Sequence, residues 1–208
     1  MNYFPESVYD DAGAYAKAYF EHLSAAASTL DLKAMAAAGA ILSACAQRRG
    51  TIFSCGNGGS ASVANHLACD CLKGVRNGST LKPKVHSLAA NIELLTAIAN
   101  DFGVDDLFEH QLSSMAEEGD VLIAISSSGA SPNIIKTLKT AKEMGLATIA
   151  MTGFAGGAAS KIADVSLYIS AHNYGVVEDC HQSLMHILAQ YMRHTHLQDP
   201  SQLGSVKF

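Results

Sequence analysis

The sequence predicts an α/β protein built on a parallel sheet with helices on both faces. Short apolar runs recur from residue 51 onward, and they are continuous rather than alternating, which is typical of strands buried on both faces. Segments with a helical pattern separate these runs. The predicted strands are 51–54, 84–88, 121–125, 147–151 and 165–169. Loops rich in serine and glycine follow two of them, at the sheet edge where such folds bind ligands.

The first of these loops, Gly56-Asn-Gly-Gly-Ser60, precedes a predicted helix over 61–71. Glycines at a helix start let backbone N–H groups approach a ligand, and the helix dipole adds partial positive charge there. Alone, the loop is more typical of a tight turn that binds nothing. The second loop, Ser126-Ser-Ser-Gly-Ala-Ser131, repeats the design before a helix over 132–144. Together the two loops predict a site for a phosphorylated small molecule.

The composition is that of a globular protein with one large domain. Of 208 residues, 49% are hydrophobic, and the formal net charge is −5. An acidic balance disfavours broad nucleic-acid binding, which needs a basic surface. The sequence shows no secretory leader pattern and no apolar run long enough to span a bilayer. The five cysteines, an odd number, fit reduced thiols, so we expect a cytoplasmic protein with no membrane and no direct nucleic-acid partner.

The first fifty residues show helical patterns and no strand. Apolar spacing predicts a helix over 9–27 and an alanine-rich helix over 31–48. We therefore divide the chain into an N-terminal helical arm for oligomerisation (1–50), a phosphosugar-binding α/β domain (51–197) and a tail (198–208).

A dinucleotide site is the first alternative for the glycine loop, because residues 56–61 match the pattern G-x-G-x-x-A after a strand. That site also needs a carboxylate at the end of the next strand to hold the ribose. The stretch 87–91 ends that strand and contains no acidic residue. The dinucleotide interpretation is therefore rejected.

Two helix faces carry side chains that can bind a divalent metal ion. His66 and Asp70 are four residues apart, and Glu178, Gln182 and His186 share one face of a later helix. Two imidazoles and two carboxylates are credible ligands for Zn²⁺. Such pairs are also frequent on solvated helices, so spacing alone favours a solvated face over a metal site.

Taken together, these motifs resemble the sugar isomerase (SIS) domain family, and most closely its phosphoheptose isomerases. The resemblance covers nearly the whole chain and also rests on Asn-Asp-Phe-Gly at 100–103, Glu-Gly-Asp-Val-Leu at 118–122 and Leu-Met-His-Ile-Leu at 184–188. It implies a flavodoxin-like, five-stranded doubly wound sheet and a homotetramer with active sites between subunits. It also implies interconversion of sedoheptulose 7-phosphate and glycero-manno-heptose 7-phosphate, a step that makes heptose precursors for lipopolysaccharide or capsule.

The resemblance assigns roles to residues of both loops and of both helix faces. It implies that the serine loop binds the phosphate. Its substrate contacts fall on Asn57, Gly58, Gly59, Ser60, Asp70, Asn100, Asp101, Ser126, Ser127, Ser128, Ser131 and Glu178. Its ligands for one Zn²⁺ per subunit fall on His66, Asp70, Glu178 and His186. Asp70 and His186 are the expected catalytic proton carriers, which move a carbonyl between C1 and C2 through a cis-enediolate, and the metal ion stabilises the oxyanion.

The sequence departs from the family pattern at three positions. Asp70, Glu178 and Gly74 stand where the family usually has Glu, Gln and a nearby Arg, although Lys73 is adjacent to the last. These changes leave the identity of the phosphosugar open. Two non-catalytic alternatives are a SIS protein that binds a replication initiator protein and a regulatory module that senses a sugar phosphate. Neither needs an acid–base pair, so the four retained metal-capable positions favour the isomerase.

Overall fold

The structure is a computed structural model that describes residues 3–205, so the ends of the predicted arm (1–2) and of the predicted tail (206–208) lie outside the described residues. Its strands are β1 (Thr51–Gly56), β2 (Lys84–Ser87), β3 (Val121–Ser126), β4 (Ala147–Thr152) and β5 (Val165–Tyr168). They form one parallel sheet in the order β2-β1-β3-β4-β5. This confirms the predicted doubly wound sheet, and every strand boundary lies within two residues of its prediction.

Four of the eight α-helices within residues 3–205 begin at a side-chain cap. They are α1 (Ala12–Ala27), α2 (Leu32–Gln47), α3 (Gly59–Cys69), α4 (Ile92–Asp101), α5 (Glu109–Met115), α6 (Pro132–Glu143), α7 (Ala159–Ile162) and α8 (Tyr174–Thr195). The side chains of Asp11, Asp31, Asn91 and Asn173 each accept a hydrogen bond from an N–H in the first turn of the helix that follows. Such caps satisfy donors that a helix start leaves unpaired. A π-helical segment, Asp70–Val75, continues α3 directly.

The sheet separates two apolar layers, because successive side chains of a strand point to opposite faces. Ile123 of β3 packs in the layer formed with α2, α3 and α8, and Leu122 packs in the layer formed with α5, α6 and α7. Both side chains are fully buried. Helices therefore cover both faces of the sheet, as the continuous apolar strands predicted.

The N-terminal helices pack against the core of the α/β domain. Ala38, Leu42 and Cys45 of α2 are fully buried in the same layer as Ile52 of β1. The α1 helix lies against α8, where the Tyr19 hydroxyl donates to Asp179 Oδ2 at 2.6 Å. An oligomerisation role, which remains a prediction, would therefore use the outer surfaces of these helices.

No single helix within residues 3–205 has both the length and the apolar composition needed to cross a membrane. The α1 and α2 helices meet that test only jointly, as a pair bent by 75°.

Candidate active site

The two Ser/Gly loops lie side by side because β1 and β3 are neighbours whose carboxyl ends are in register, with Gly56 opposite Ile125. Between the loops is a pocket of about 140 Å³, which we call the serine pocket. It is lined by Asn57, Ser60, Ile125, Ser126, Ser127, Ser128, Ser131, Tyr174 and Glu178. Both loops predicted from the sequence thus contribute to one pocket.

The serine pocket offers hydroxyl groups that make few hydrogen bonds within the fold, and Ser131 Oγ contacts only Ser126 Oγ, at 3.4 Å. Ser127 Oγ is buried and has no hydrogen-bond partner among the described residues. Ser131 is the N-cap residue of α6, yet its side chain makes no capping bond. Buried polar groups normally have partners, and the N-terminus of a helix attracts negative charge. The arrangement suits an anionic ligand such as a phosphate group.

Glu178 reaches the serine pocket from α8 and lies against the start of α3. A Cβ on Gly59 would be 2.3 Å from Glu178 Oε2, so the carboxylate occupies space that only a glycine leaves open. A negative charge is favourable at the N-terminus of a helix. Glu178 was predicted both as a substrate contact and as a metal ligand, and the structure places it in the pocket that fits the first role.

The other predicted ligands converge at a second point, which we call the His/Asp cluster. One ligand atom each from His66, Asp70 and His186 lies within 4.8 Å of the other two. His186 Nδ1 is 2.8 Å from Asp70 Oδ2, and His66 Nε2 is 3.4 Å from Asp70 Oδ1. Among the described residues, Glu178 is not a member of this group. The structure therefore brings together three of the four predicted ligands.

Gln182 contacts both imidazoles of the cluster from α8. Its amide nitrogen is 2.9 Å from His66 Nδ1 and 3.0 Å from His186 Nε2. Each ring therefore has one nitrogen beside Asp70 and the other beside Gln182.

The His/Asp cluster and the serine pocket are joined by two helices that run side by side in the same direction. Along α3 and its π-helical continuation, Gly59 precedes His66 and Asp70, while along α8 Glu178 precedes His186. Eight residues of helix separate Glu178 from His186, a rise of about 12 Å. The serine pocket and the cluster are therefore about 12 Å apart along α8.

Asn100 and Asp101, which the resemblance predicts as substrate contacts, are not brought to either place. Both are exposed at the end of α4, where the Asn100 side chain donates to Asp101 Oδ1 at 2.8 Å. Lys73 and Gly74 instead line a separate cavity of about 430 Å³, bordered by Asp70 and His186. Lys73 thus lies near the cluster, as its position beside Gly74 suggested.

Three site residues were missed because nothing in the sequence distinguished them. Tyr174 lines the serine pocket. Gln182 was noted on the same helix face as Glu178 and His186 but received no role. Asn133 forms a pair of hydrogen bonds with Asn57. An amide or a tyrosine on a helix carries no motif, and only the contacts assign these residues to the site.

Comparison with known proteins shows the family to which the chain belongs. The model of the SIS domain family matches residues 14–153. A phosphoheptose isomerase of Campylobacter jejuni is 34% identical over 175 residues, which are 84% of this chain and 94% of that protein. Another, from Nitratidesulfovibrio vulgaris (strain Miyazaki F), is 38% identical over 145 residues, 69% of this chain and 68% of that protein. The chain belongs to the phosphoheptose isomerases of the SIS domain family.

A solved structure extends this agreement to the fold of the SIS domain. Phosphoheptose isomerase GmhA from Neisseria gonorrhoeae superposes with a TM-score of 0.80 at 30% identity, and the match covers 88% of this chain and 98% of that one. The family model ends at residue 153, before α8. His186 therefore completes the His/Asp cluster from a helix beyond the matched range.

Proposed function

We propose that this isomerase interconverts sedoheptulose 7-phosphate and glycero-manno-heptose 7-phosphate, the substrate and product that its resemblance to phosphoheptose isomerases implies. One observation carries the proposal: an anion-binding pocket and an acid–base pair lie about 12 Å apart along α8. An extended seven-carbon chain measures roughly 10 Å from C1 to a phosphate on C7, since each C–C bond is about 1.5 Å long. With the phosphate in the serine pocket, the reacting carbons C1 and C2 reach Asp70 and His186.

The reaction moves a proton between two neighbouring carbons. Asp70 removes a proton from C1 of the ketose, which gives a cis-enediolate, and returns it to C2 to form the aldose. His186 transfers a proton between the two oxygens, and its hydrogen bond to Asp70 at 2.8 Å holds both groups in place. A carboxylate and an imidazole are suited to such transfers near neutral pH.

The His/Asp cluster also fits a divalent metal ion, and we propose Zn²⁺. Two imidazoles and one carboxylate form a ligand set typical of catalytic zinc, which leaves a coordination position open. When bound, the metal supplies a Lewis acid that stabilises negative charge on the substrate oxygens. Glu178 would have to leave the serine pocket to become a metal ligand, so we assign it the role of a substrate contact.

The remaining predicted substrate contacts would come from a neighbouring subunit. Asn100 and Asp101 are exposed and remote from the serine pocket of their own chain, so as substrate contacts they would serve a neighbouring subunit. This arrangement requires the homotetramer that the resemblance implies. We further propose a cytoplasmic enzyme that supplies heptose precursors for lipopolysaccharide or capsule.

The decisive experiment is an isomerisation assay with purified protein in D₂O. Sedoheptulose 7-phosphate should be converted to an aldose phosphate that carries deuterium on C2, because Asp70 exchanges its proton with solvent before returning it. Parallel assays with ketose phosphates of five and six carbons test whether the distance between the serine pocket and the His/Asp cluster favours a seven-carbon substrate. Metal analysis of the same sample should find about one Zn²⁺ per chain. Absence of conversion for every sugar phosphate, with metal present, would reject the isomerase.

A further inference from the structure

The glycine loop and the serine loop are joined by a reciprocal pair of amide hydrogen bonds. Asn57 Nδ2 donates to Asn133 Oδ1, and Asn133 Nδ2 donates to Asn57 Oδ1, both at 2.9 Å. Asn57 belongs to the glycine loop, and Asn133 lies in the first turn of α6, directly after the serine loop. Asn133 is only 3% exposed. The two walls of the serine pocket are therefore held at a fixed separation by one buried side chain.

The orientation of the Asn133 amide follows from a third hydrogen bond. Asn133 Oδ1 also accepts from the backbone N–H of Ile134 at 2.9 Å. A backbone N–H can only donate, so the atom that faces it is the oxygen, and the amide nitrogen must face Asn57. Both polar atoms of the Asn57 side chain are then engaged with Asn133, which makes Asn57 part of the scaffold of the pocket.

This third bond also explains why Ser131 is available to a ligand. Ser131 is the N-cap residue of α6, where a serine hydroxyl normally accepts from an N–H of the first turn. Here the Ser131 hydroxyl makes no such bond, and the N–H of Ile134 in that turn is satisfied by Asn133. Without the Asn133 side chain, the Ser131 hydroxyl would turn toward the helix and away from the pocket.

We infer that Asn133 is a positioning residue for phosphate binding: it holds the glycine loop against the serine loop and takes over the capping of α6. The Ser131 hydroxyl, which is 3.4 Å from Ser126 Oγ, is then not used as a cap and can contact the phosphate. The inference rests on the proposed function, because it assumes that the serine pocket binds the phosphate of the substrate. In this inference Asn133 does not contact the reacting carbons. A substitution of Asn133 should therefore weaken phosphate affinity and leave kcat nearly unchanged.

The first test measures phosphate affinity in Asn133→Leu, which removes all three hydrogen bonds at nearly constant volume. We expect inorganic phosphate to bind about 10-fold or more weakly by titration calorimetry, since two link bonds and a contact from Ser131 are lost. KM for sedoheptulose 7-phosphate should rise by a similar factor, while kcat stays within about 3-fold. Thr137→Val is the matched control, because the buried Thr137 hydroxyl bonds only to the backbone carbonyl of Asn133, at 2.6 Å. It should lower stability and leave phosphate affinity unchanged.

A second variant distinguishes the link from general stability. In Asn133→Asp, the ionised carboxylate still accepts from Ile134 and Asn57 but faces the Asn57 carbonyl oxygen without a proton to donate. Protonation of that carboxylate restores the missing donor, so phosphate affinity relative to wild type should recover as the pH falls toward 5. Wild-type affinity in Asn133→Leu, or equal weakening in Thr137→Val, would overturn the inference alone. Absence of phosphate binding by the wild type would overturn the proposed function and the inference with it.

Discussion

At the scale of single residues, Asp70 is the central residue of the proposed reaction, since it contacts both imidazoles of the His/Asp cluster. We predict that Asp70→Asn lowers kcat by about 10²- to 10⁴-fold, because an amide cannot accept the substrate proton. The amide oxygen can still accept from His186 Nδ1, so the fold should persist. Steady-state kinetics together with circular dichroism would test both parts.

Asp70→Glu is the matched control for this prediction, because it retains a carboxylate and restores the residue that the family usually has. Its turnover should stay near that of wild type, and its metal content should not fall. An Asp70→Asn variant with wild-type turnover would remove Asp70 from the mechanism.

His181 is a second residue with a measurable signature. It is fully buried, and burial lowers its pKa to about 4, although a hydrogen-bond interaction with the backbone of Thr152 opposes part of this shift. In the unfolded chain the pKa is about 6.5. Between these two values the unfolded state binds more protons than the folded state, so stability must fall as the pH drops from 6.5 to 4. The expected loss is about 3 kcal/mol at pH 4.

Urea denaturation at several pH values would measure this loss. Because carboxylates also titrate in this range, the comparison is between wild type and His181→Gln, in which the acid-dependent slope between pH 6.5 and 4 should become shallower. Parallel curves for the two proteins would show that His181 does not carry the effect. Its lack of contact with either part of the site agrees with the structural role that its position on α8 suggested.

At the scale of elements, the start of α3 depends on two glycines for different reasons. A Cβ on Gly56 would be 2.6 Å from the backbone carbonyl of Ser60, whereas a Cβ on Gly59 would meet only the end of the Glu178 side chain. Backbone atoms shift less easily than the end of a side chain, so Gly56→Ala should lower the free energy of unfolding by about 1–3 kcal/mol. Gly59→Ala should keep its stability but displace Glu178 and weaken substrate binding.

Denaturation curves and KM values for the two alanine variants would separate these effects. Gly74→Ala serves as the control, because a Cβ at that position meets no atom within 4 Å. Equal stability of Gly56→Ala and Gly59→Ala would contradict the packing argument at this loop.

Elements were predicted well because their signals are local. The strands β1, β3 and β4 are largely apolar runs, whereas β2 reads Lys-Val-His-Ser. Asp11, Asp31, Asn91 and Asn173 lie where helices begin. Helix spacing placed His66, Asp70 and His186 on usable faces, but only the family resemblance predicted that they meet. The spacing of residues along a helix determines which face each side chain is on, but not which part of a neighbouring helix it meets. It therefore could not show that Glu178 of α8 lies beside Gly59, at the opposite end of α3 from Asp70.

At the scale of the whole molecule, the exposed apolar side chains indicate further assembly. Ile187 and Tyr191 of α8 are 49% and 48% exposed, Leu72 of the π-helical segment is 52% exposed, and Phe20 of α1 is 65% exposed. Scattered apolar residues are common on protein surfaces. Ile187 and Tyr191 are different, because they share one helix face, adjacent to the His186 face of the same helix.

We predict that this surface lies between subunits of a homotetramer, so that Ile187→Glu with Tyr191→Glu converts the protein to smaller species and lowers isomerase activity with it. Burying two carboxylates without partners strongly opposes association, and a site built between subunits then loses Asn100 and Asp101 of its neighbour. Light scattering at micromolar concentration should give the mass of four chains for wild type and a lower mass for the double variant. Val8→Glu, at a position that is 97% exposed, should keep both the mass and the activity of wild type. A wild-type protein that is monomeric yet fully active would show instead that each chain completes its own site, with Asn100 and Asp101 outside it.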